Sequence, residues 1–312
     1  MTTVNRGLGS ADAPGVEALR ADRSQSGELE ACLTGRTWDA VIDTWSGAPA
    51  VVARSSRLLR DRVGHYGYVS SASVYRWPMP VGADETTPTV DADPEGTQAD
   101  DYAASKRGAE LAVLDQFPGR ALLARAGLIL GPYENVGRLP WWLQRLARGG
   151  RVVAPGPPDR PLQFIDARDL ASWMLSAADR GTAGAFNTVS RPGHTTIGEL
   201  LDVAHRIVGS SAELVWVSPE TIATAGVSGW TELPIWVPPS GELAALLELD
   251  VAAALAQGLS CRPIVATVAD TWAWLQREGL STGIHPRAAV GLDEAAEQRI
   301  LALDHPASVG EA

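Results

Sequence analysis

Tyr102-Ala103-Ala104-Ser105-Lys106 carries the residue types and spacing that point most directly to chemistry. A separation of four places a phenol and an ammonium on one helix face, one turn apart. A positive charge beside a phenol favours the phenolate. It draws the pKa down from about 10 and turns an inert group into a proton acceptor or donor. The same spacing also fits a surface helix whose tyrosine packs and whose lysine is solvated. Upstream, Tyr68-Val69-Ser70-Ser71-Ala72-Ser73-Val74-Tyr75 sets hydroxyls at the end of a strand, where parallel α/β sheets present ligand sites. Ser71 would hydrogen-bond a substrate carbonyl or hydroxyl there and hold it near Tyr102. Serines that only cap a turn would read the same way.

The elements that must position these residues alternate. Strand-like runs are Thr2 to Val4, Trp38 to Asp43, His65 to Ser71 and Ala121 to Arg125; helical runs are Leu29 to Leu33, Val51 to Leu59 and Tyr102 to Phe117. Pro118-Gly119 stops the last helix. The alternation predicts an α/β fold with a mainly parallel sheet. Beyond Pro132, helices are expected over Val136–Ala147, Asp169–Ala178 and Ile264–Leu275, with strands at Arg151–Ala154, Leu162–Ile165, Ala185–Asn187 and Glu213–Val217. Thr196 and Glu199 have the spacing of a capping box for a helix reaching Val208. Gly226 to Gly241 should be an irregular loop, and Leu292 to Leu303 a surface or terminal helix. The expected division is a sheet domain over 1–165, a smaller lobe over 166–290, and a helix and tail over 291–312.

Composition removes several function classes. The net charge of −11 opposes broad nucleic-acid affinity, which needs basic patches. No run approaches the roughly 20 apolar residues that span a bilayer, and the N-terminus has no apolar signal core, so a cytoplasmic protein is expected. Cys32 and Cys261 lie too far apart in sequence to suggest a disulfide scaffold, and the five histidines show no metal-ligand spacing. Ser70 and Ser71 lack the Gly-x-Ser-x-Gly elbow of a hydrolase. The eleven tryptophans, Trp141, Trp142, Trp230 and Trp236 among them, fit an apolar substrate pocket or plain core packing equally.

Four segments in this order carry a resemblance: Ser70-Ser71-Ala72-Ser73-Val74-Tyr75, Tyr102-Ala103-Ala104-Ser105-Lys106, Arg125-Ala126-Gly127-Leu128-Ile129-Leu130-Gly131-Pro132 and Phe164-Ile165-Asp166-Ala167-Arg168-Asp169-Leu170-Ala171. Together they resemble the extended short-chain dehydrogenase/reductase family, the NAD-dependent epimerase/dehydratase group, from Val4 to about Glu278. The resemblance implies a Rossmann-type domain with a C-terminal lobe, and oxidation, epimerisation or elimination at a hydroxyl/carbonyl centre, with a nucleotide sugar suggested by analogy. It implies Tyr102 as acid/base, Lys106 as its partner and holder of the nicotinamide ribose, and Ser71 as the group orienting the reacting oxygen. Asp22, Asp43 and Thr44 would approach the cofactor, Gly127 and Leu128 would pass beside the nicotinamide, and Arg160 and Gln163 would reach an anionic substrate group. Arg6 stands where an acid usually signals NAD, so NADP is favoured over NAD. The helices Val51–Leu59 and Tyr102–Phe117 would form a homodimer face.

The sequence departs from this pattern at its start. The family opens with a strand, a glycine-rich turn and a helix that cradle the cofactor diphosphate. Here Gly7 and Gly9 follow what matches the second strand, so the sheet is expected to be incomplete at its N-terminus, with apolar surface and unpaired backbone exposed. The alternative is a non-catalytic relative that acts as a binding or interaction protein.

Overall fold

The computed structural model describes residues 1–8, 12–25, 27–278 and 290–304. The first third of the chain builds β1 (Thr2–Asn5), β2 (Glu17–Arg20), α1 (Glu28–Leu33), β3 (Trp38–Asp43), α2 (Pro49–Leu59) and β4 (Val63–Ser71). A short 3-10 turn, Ala72–Val74, leads out of β4; α3 (Tyr102–Gln116) and β5 (Ala121–Ala126) follow. The main sheet runs in the order Gly184–Thr188, β5, β4, β3, all parallel, with Ser71 opposite Ala126 and Asp43 opposite Tyr68. β5 is buried at every position and β4 at most, as strands covered on both faces must be. β1 and β2 form a separate parallel pair.

Helices sandwich the sheet. Tyr66, Tyr68 and Leu123 pack with Val113 of α3 and with Phe117 just beyond it on one face. On the other, Leu122, Ala124 and Ile165 meet Trp173 and Met174 of α5 (Ala167–Asp179). Local chemistry sets the helix ends. The Asp101 side chain accepts a hydrogen bond from Ala104 N at 3.0 Å to start α3, and Pro49 opens α2 where no intrahelical N–H is needed.

The lobe begins earlier than residue 166. β6 (Leu128–Leu130), α4 (Arg138–Ala147) and β7 (Gly150–Pro155) contribute Leu128, Leu139, Trp142 and Val152 to its core, beside α6 (Ile197–Val208) and the helix Ile264–Glu278. The strand Gly184–Thr188 returns to the main sheet, so the chain crosses between the two bodies and no single division separates them. The expected capping box is present: Thr196 Oγ1 accepts from Glu199 N at 3.1 Å while the Glu199 carboxylate accepts from Thr196 N at 3.1 Å. The helix Glu294–Asp304 lies at the surface as expected and packs through one face. Ile300 and Leu301 join the lobe core, and the buried Glu297 carboxylate accepts from Arg145 Nε at 2.8 Å. The expected tail over 305–312 lies outside the described residues. Trp142 and Trp236 are fully buried, which decides for packing over pocket lining at those two positions. No helix among the described residues is long and apolar enough to cross a membrane.

A buried ionic cluster joins α3 to the sheet. Glu110 has no exposed surface; it accepts from Ser70 Oγ at 2.7 Å, Arg107 Nη1 at 2.7 Å and Arg125 Nε at 3.0 Å. Arg125 also donates to Tyr75 Oη at 3.3 Å, and Tyr75 donates to Asn187 Oδ1 at 2.6 Å, which links β5 to the strand Gly184–Thr188. Ser70 is thereby committed to structure. Removing the carboxylate would strand the buried guanidinium of Arg125. Glu110→Ala is therefore expected to destabilise the chain by about 3–5 kcal/mol in a denaturant melt, whereas loss below about 1 kcal/mol would mean the cluster is not a keystone.

Candidate active site

Tyr102 is the first residue of α3, so its phenol sits at the helix mouth and is 38% exposed. One turn on, Lys106 is almost wholly buried. Its ammonium donates to the carbonyls of Trp45 and Val69, each at 2.8 Å, and lies 4.8 Å from the centroid of the Tyr68 ring. This overturns the surface-helix reading of the Tyr-x-x-x-Lys spacing. Trp45 O also accepts from Tyr68 Oη at 3.0 Å, so the loop after β3 is fastened to both β4 and α3. Val69 lies two residues before Ser71, which caps the 3-10 turn by accepting from Ser73 N at 3.1 Å. The same Ser71 hydroxyl donates to Ser73 Oγ at 3.1 Å. α3 packs on both β4 and this turn, which brings the Ser71 and Tyr102 elements together at the C-terminal edge of the sheet.

Asp43, expected to approach the cofactor, is engaged by four protein donors. It is buried, and its two oxygens accept from Arg23 Nη1 and Nη2 at 2.6 and 2.7 Å, from Tyr66 Oη at 2.6 Å and from Trp45 N at 2.9 Å. Burial pushes its pKa up, but the Arg23 guanidinium and these hydrogen bonds hold it below the usual carboxylate range. Thr44 follows directly and lines the same groove as Asp43. At the end of β1, Arg6 is largely exposed with its guanidinium 4.0 Å from Asp22, whose own carboxylate accepts from Ser24 N and Ser24 Oγ.

Gly127 joins β5 to β6. A Cβ there would lie 2.8 Å from Val189 Cγ2, so only glycine lets the backbone pass this close to the segment after Gly184–Thr188. Leu128 is buried beside it. The structure does not offer Gln163 to a ligand. Gln163 Nε2 donates to the Ser190 and Leu249 carbonyls, each at 2.9 Å, and its Oε1 accepts from Leu249 N at 2.6 Å, so its amide pins three segments of the lobe. Arg160 is likewise engaged, with Nη1 donating to Glu248 Oε1 at 2.7 Å and Nη2 to the Ala244 carbonyl. Asp166 caps α5 by accepting from Arg168 N at 3.0 Å.

Three important residues were not singled out from sequence: Arg23, Tyr68 and Glu110. Glu110 had a signal, since it lies one turn beyond Lys106 on the face that carries Tyr102. Arg23 and Tyr68 had none, because their partners come from other strands.

The family model for the NAD dependent epimerase/dehydratase family matches residues 37–189, the segment that contains Ser71, Tyr102, Lys106 and Gly127. Across those residues the chain is similar to the NAD-dependent epimerase/dehydratase family. Solved structures agree on the fold. The enzyme WbmH of Bordetella bronchiseptica, determined in complex with NAD+, is 17% identical and superposes with a TM-score of 0.66 over 89% of this chain and 90% of that one. A putative epimerase from Burkholderia cenocepacia J2315 is 21% identical with a TM-score of 0.63, covering 88% of each chain. UDP-glucuronic acid 4-epimerase from Bacillus cereus, in complex with NAD, is 13% identical with a TM-score of 0.60 over 89% of this chain and 90% of that one. No curated protein matches the chain.

The close approach at Gly127 is testable. Gly127→Ala should cost about 1–3 kcal/mol in thermal or denaturant unfolding, and Val189→Ala in the same chain should recover most of the loss. Additive losses in the double variant would show that the two positions do not press on each other.

Proposed function

We propose that this chain is a nicotinamide-dinucleotide-dependent epimerase, dehydratase or reductase acting on a hydroxyl/carbonyl centre of a nucleotide sugar. The observation that carries the reading is the buried Lys106 ammonium one turn from the exposed Tyr102 phenol, beside the strand end that bears Ser71. An exposed phenol thus stands one helical turn from a buried ammonium.

The residues fit the two ends of a dinucleotide. Lys106 and the Gly127–Leu128 passage suit the nicotinamide end. Arg6 and Asp22, beyond the ends of β1 and β2, suit the adenosine end, with Thr44 just beyond the end of β3. The glycine-turn-helix expected for the diphosphate is not among the described elements. A nicotinamide ring bound here would supply the hydride acceptor and donor.

The chain's own part is positional and electrostatic. Ser71 Oγ, now donating to Ser73, would turn to a substrate oxygen and set it against Tyr102 Oη. Tyr102, as phenolate, would take the hydroxyl proton when the carbon is oxidised and return it when the carbonyl is reduced. Lys106 would hold a positive charge one helical turn away without itself moving a proton. Return of hydride to the opposite face of the same carbonyl gives an epimer, and the carbonyl also acidifies a neighbouring C–H for elimination. The exposed Arg6 guanidinium suits a 2′-phosphate, which supports NADP over NAD. A nucleotide-sugar substrate is supported by similarity to the family and by the UDP-glucuronic acid 4-epimerase among the similar folds.

UDP-sugars supplied with NADP+ or NAD+ and followed by NMR test the reading. Tyr102→Phe should lower turnover about 10²–10⁴-fold while leaving nucleotide affinity near wild type. Arg6→Ser should weaken NADPH more than NADH, and equal turnover by Tyr102→Phe would contradict the assignment.

A further inference from the structure

A groove of about 670 Å³ separates β1 from β3. Each strand is paired on one side only among the described residues, β1 with β2 and β3 with β4, and the two are not hydrogen-bonded to each other. They point the same way. At their starts, Trp38 Nε1 donates to Thr2 Oγ1 at 3.2 Å. At the other end, Arg23, just beyond β2, pairs with Asp43, the last residue of β3.

The groove's walls combine two chemistries. On the β1 side, Met1 O accepts from Glu17 N and Asn5 O from Ala21 N, so residues 1, 3 and 5 face β2. By the alternation of a parallel ladder, the N–H and C=O of Thr2 and Val4 face the groove, as do those of alternate residues on the free edge of β3. Apolar side chains line both faces: Leu29, Leu33 and Leu59 from α1 and α2, and Ala171 and Leu175 from α5. Leu175 is 56% exposed, and Val41 and Ile42 are only half-buried although they form the apolar run of a sheet strand.

We infer that this groove is a docking site for an extended polypeptide strand, running parallel to β1 and β3 and apolar on both faces. Such a strand would join the pair β1–β2 to the four-stranded sheet as one continuous sheet. The backbone decides between occupants. A lipid chain or small apolar molecule covers the leucines but leaves two rows of strand donors and acceptors without partners. A peptide strand satisfies both rows at the normal inter-strand spacing. Helices on both faces require a Val/Ile/Leu run rather than an alternating pattern. The inference rests on the groove alone and needs neither nicotinamide nor substrate, so its failure and that of the oxidoreductase reading are separable.

The test adds a Lys-flanked peptide with a central Val/Leu/Ile run to the 312-residue chain, and follows Trp38 fluorescence and amide hydrogen exchange. Saturable binding should slow exchange at Thr2, Val4 and the free-edge amides of β3 together, and a peptide with proline at its centre should not bind. Val4→Pro removes a groove-facing donor that β2 does not use. It should weaken the peptide at least about tenfold while leaving the melting temperature of the free chain nearly unchanged. Absence of saturable binding would overturn the proposal. So would equal binding of the proline peptide, or equal protection by a small apolar dye, which would make the groove a site for apolar ligands.

Discussion

The site depends on how one buried ammonium is satisfied. Lys106 is on a helix that packs against the sheet, and an unpaired charge there would cost several kcal/mol. Its two carbonyl partners, Trp45 O and Val69 O, belong to the loop after β3 and to β4. Three elements are therefore fixed relative to one another by a single group. Tyr102 shares the lysine's helix face and Ser71 follows Val69 by two residues, so both hydroxyls inherit their positions from that arrangement. The aromatic ring of Tyr68 adds a face to the cation and a hydroxyl to Trp45 O. The buried ammonium is thus the pin that locates the elements carrying both hydroxyls.

Around this pin the buried ionic groups divide by role. Glu110, Arg125 and Tyr75 form a closed cluster with protein partners on every member named here, and they hold α3 on β4 and β5. Asp43 and Arg23 form another, which ties the segment after β2 to the end of β3 across the groove. The ionic groups of these clusters are thus buried or half-buried, whereas the Tyr102 phenol stands exposed at the start of α3.

Much of this was legible in the sequence where the information is local. The start of α3 at Tyr102, the box of Thr196 and Glu199, and the strand Trp38–Asp43 are set by neighbours within a few residues, and the structure places them where expected. β2 was harder. Its four residues are exposed or half-buried and show no apolar period. The roles of Asp43 and Gln163 could not be read at all, because their partners come from 20 residues upstream at Arg23 and 86 residues downstream at Leu249. A carboxylate after a strand looks the same in sequence whether it faces a cofactor or a guanidinium. The lobe boundary shifted for a similar reason: 128–164 pack with helices that lie far downstream, and hydrophobic patterning does not say which core a strand joins.

Hydrogen exchange of Lys106→Met against wild type tests the central claim most directly, since methionine keeps the length and apolar contact of the side chain and removes its donors. The account predicts faster exchange at residues 43–48 and 69–73 together, with the lobe helices α4 and α6 unchanged. Unaltered exchange at both segments, or a uniform rise across the whole chain, would contradict the view that Lys106 pins this site.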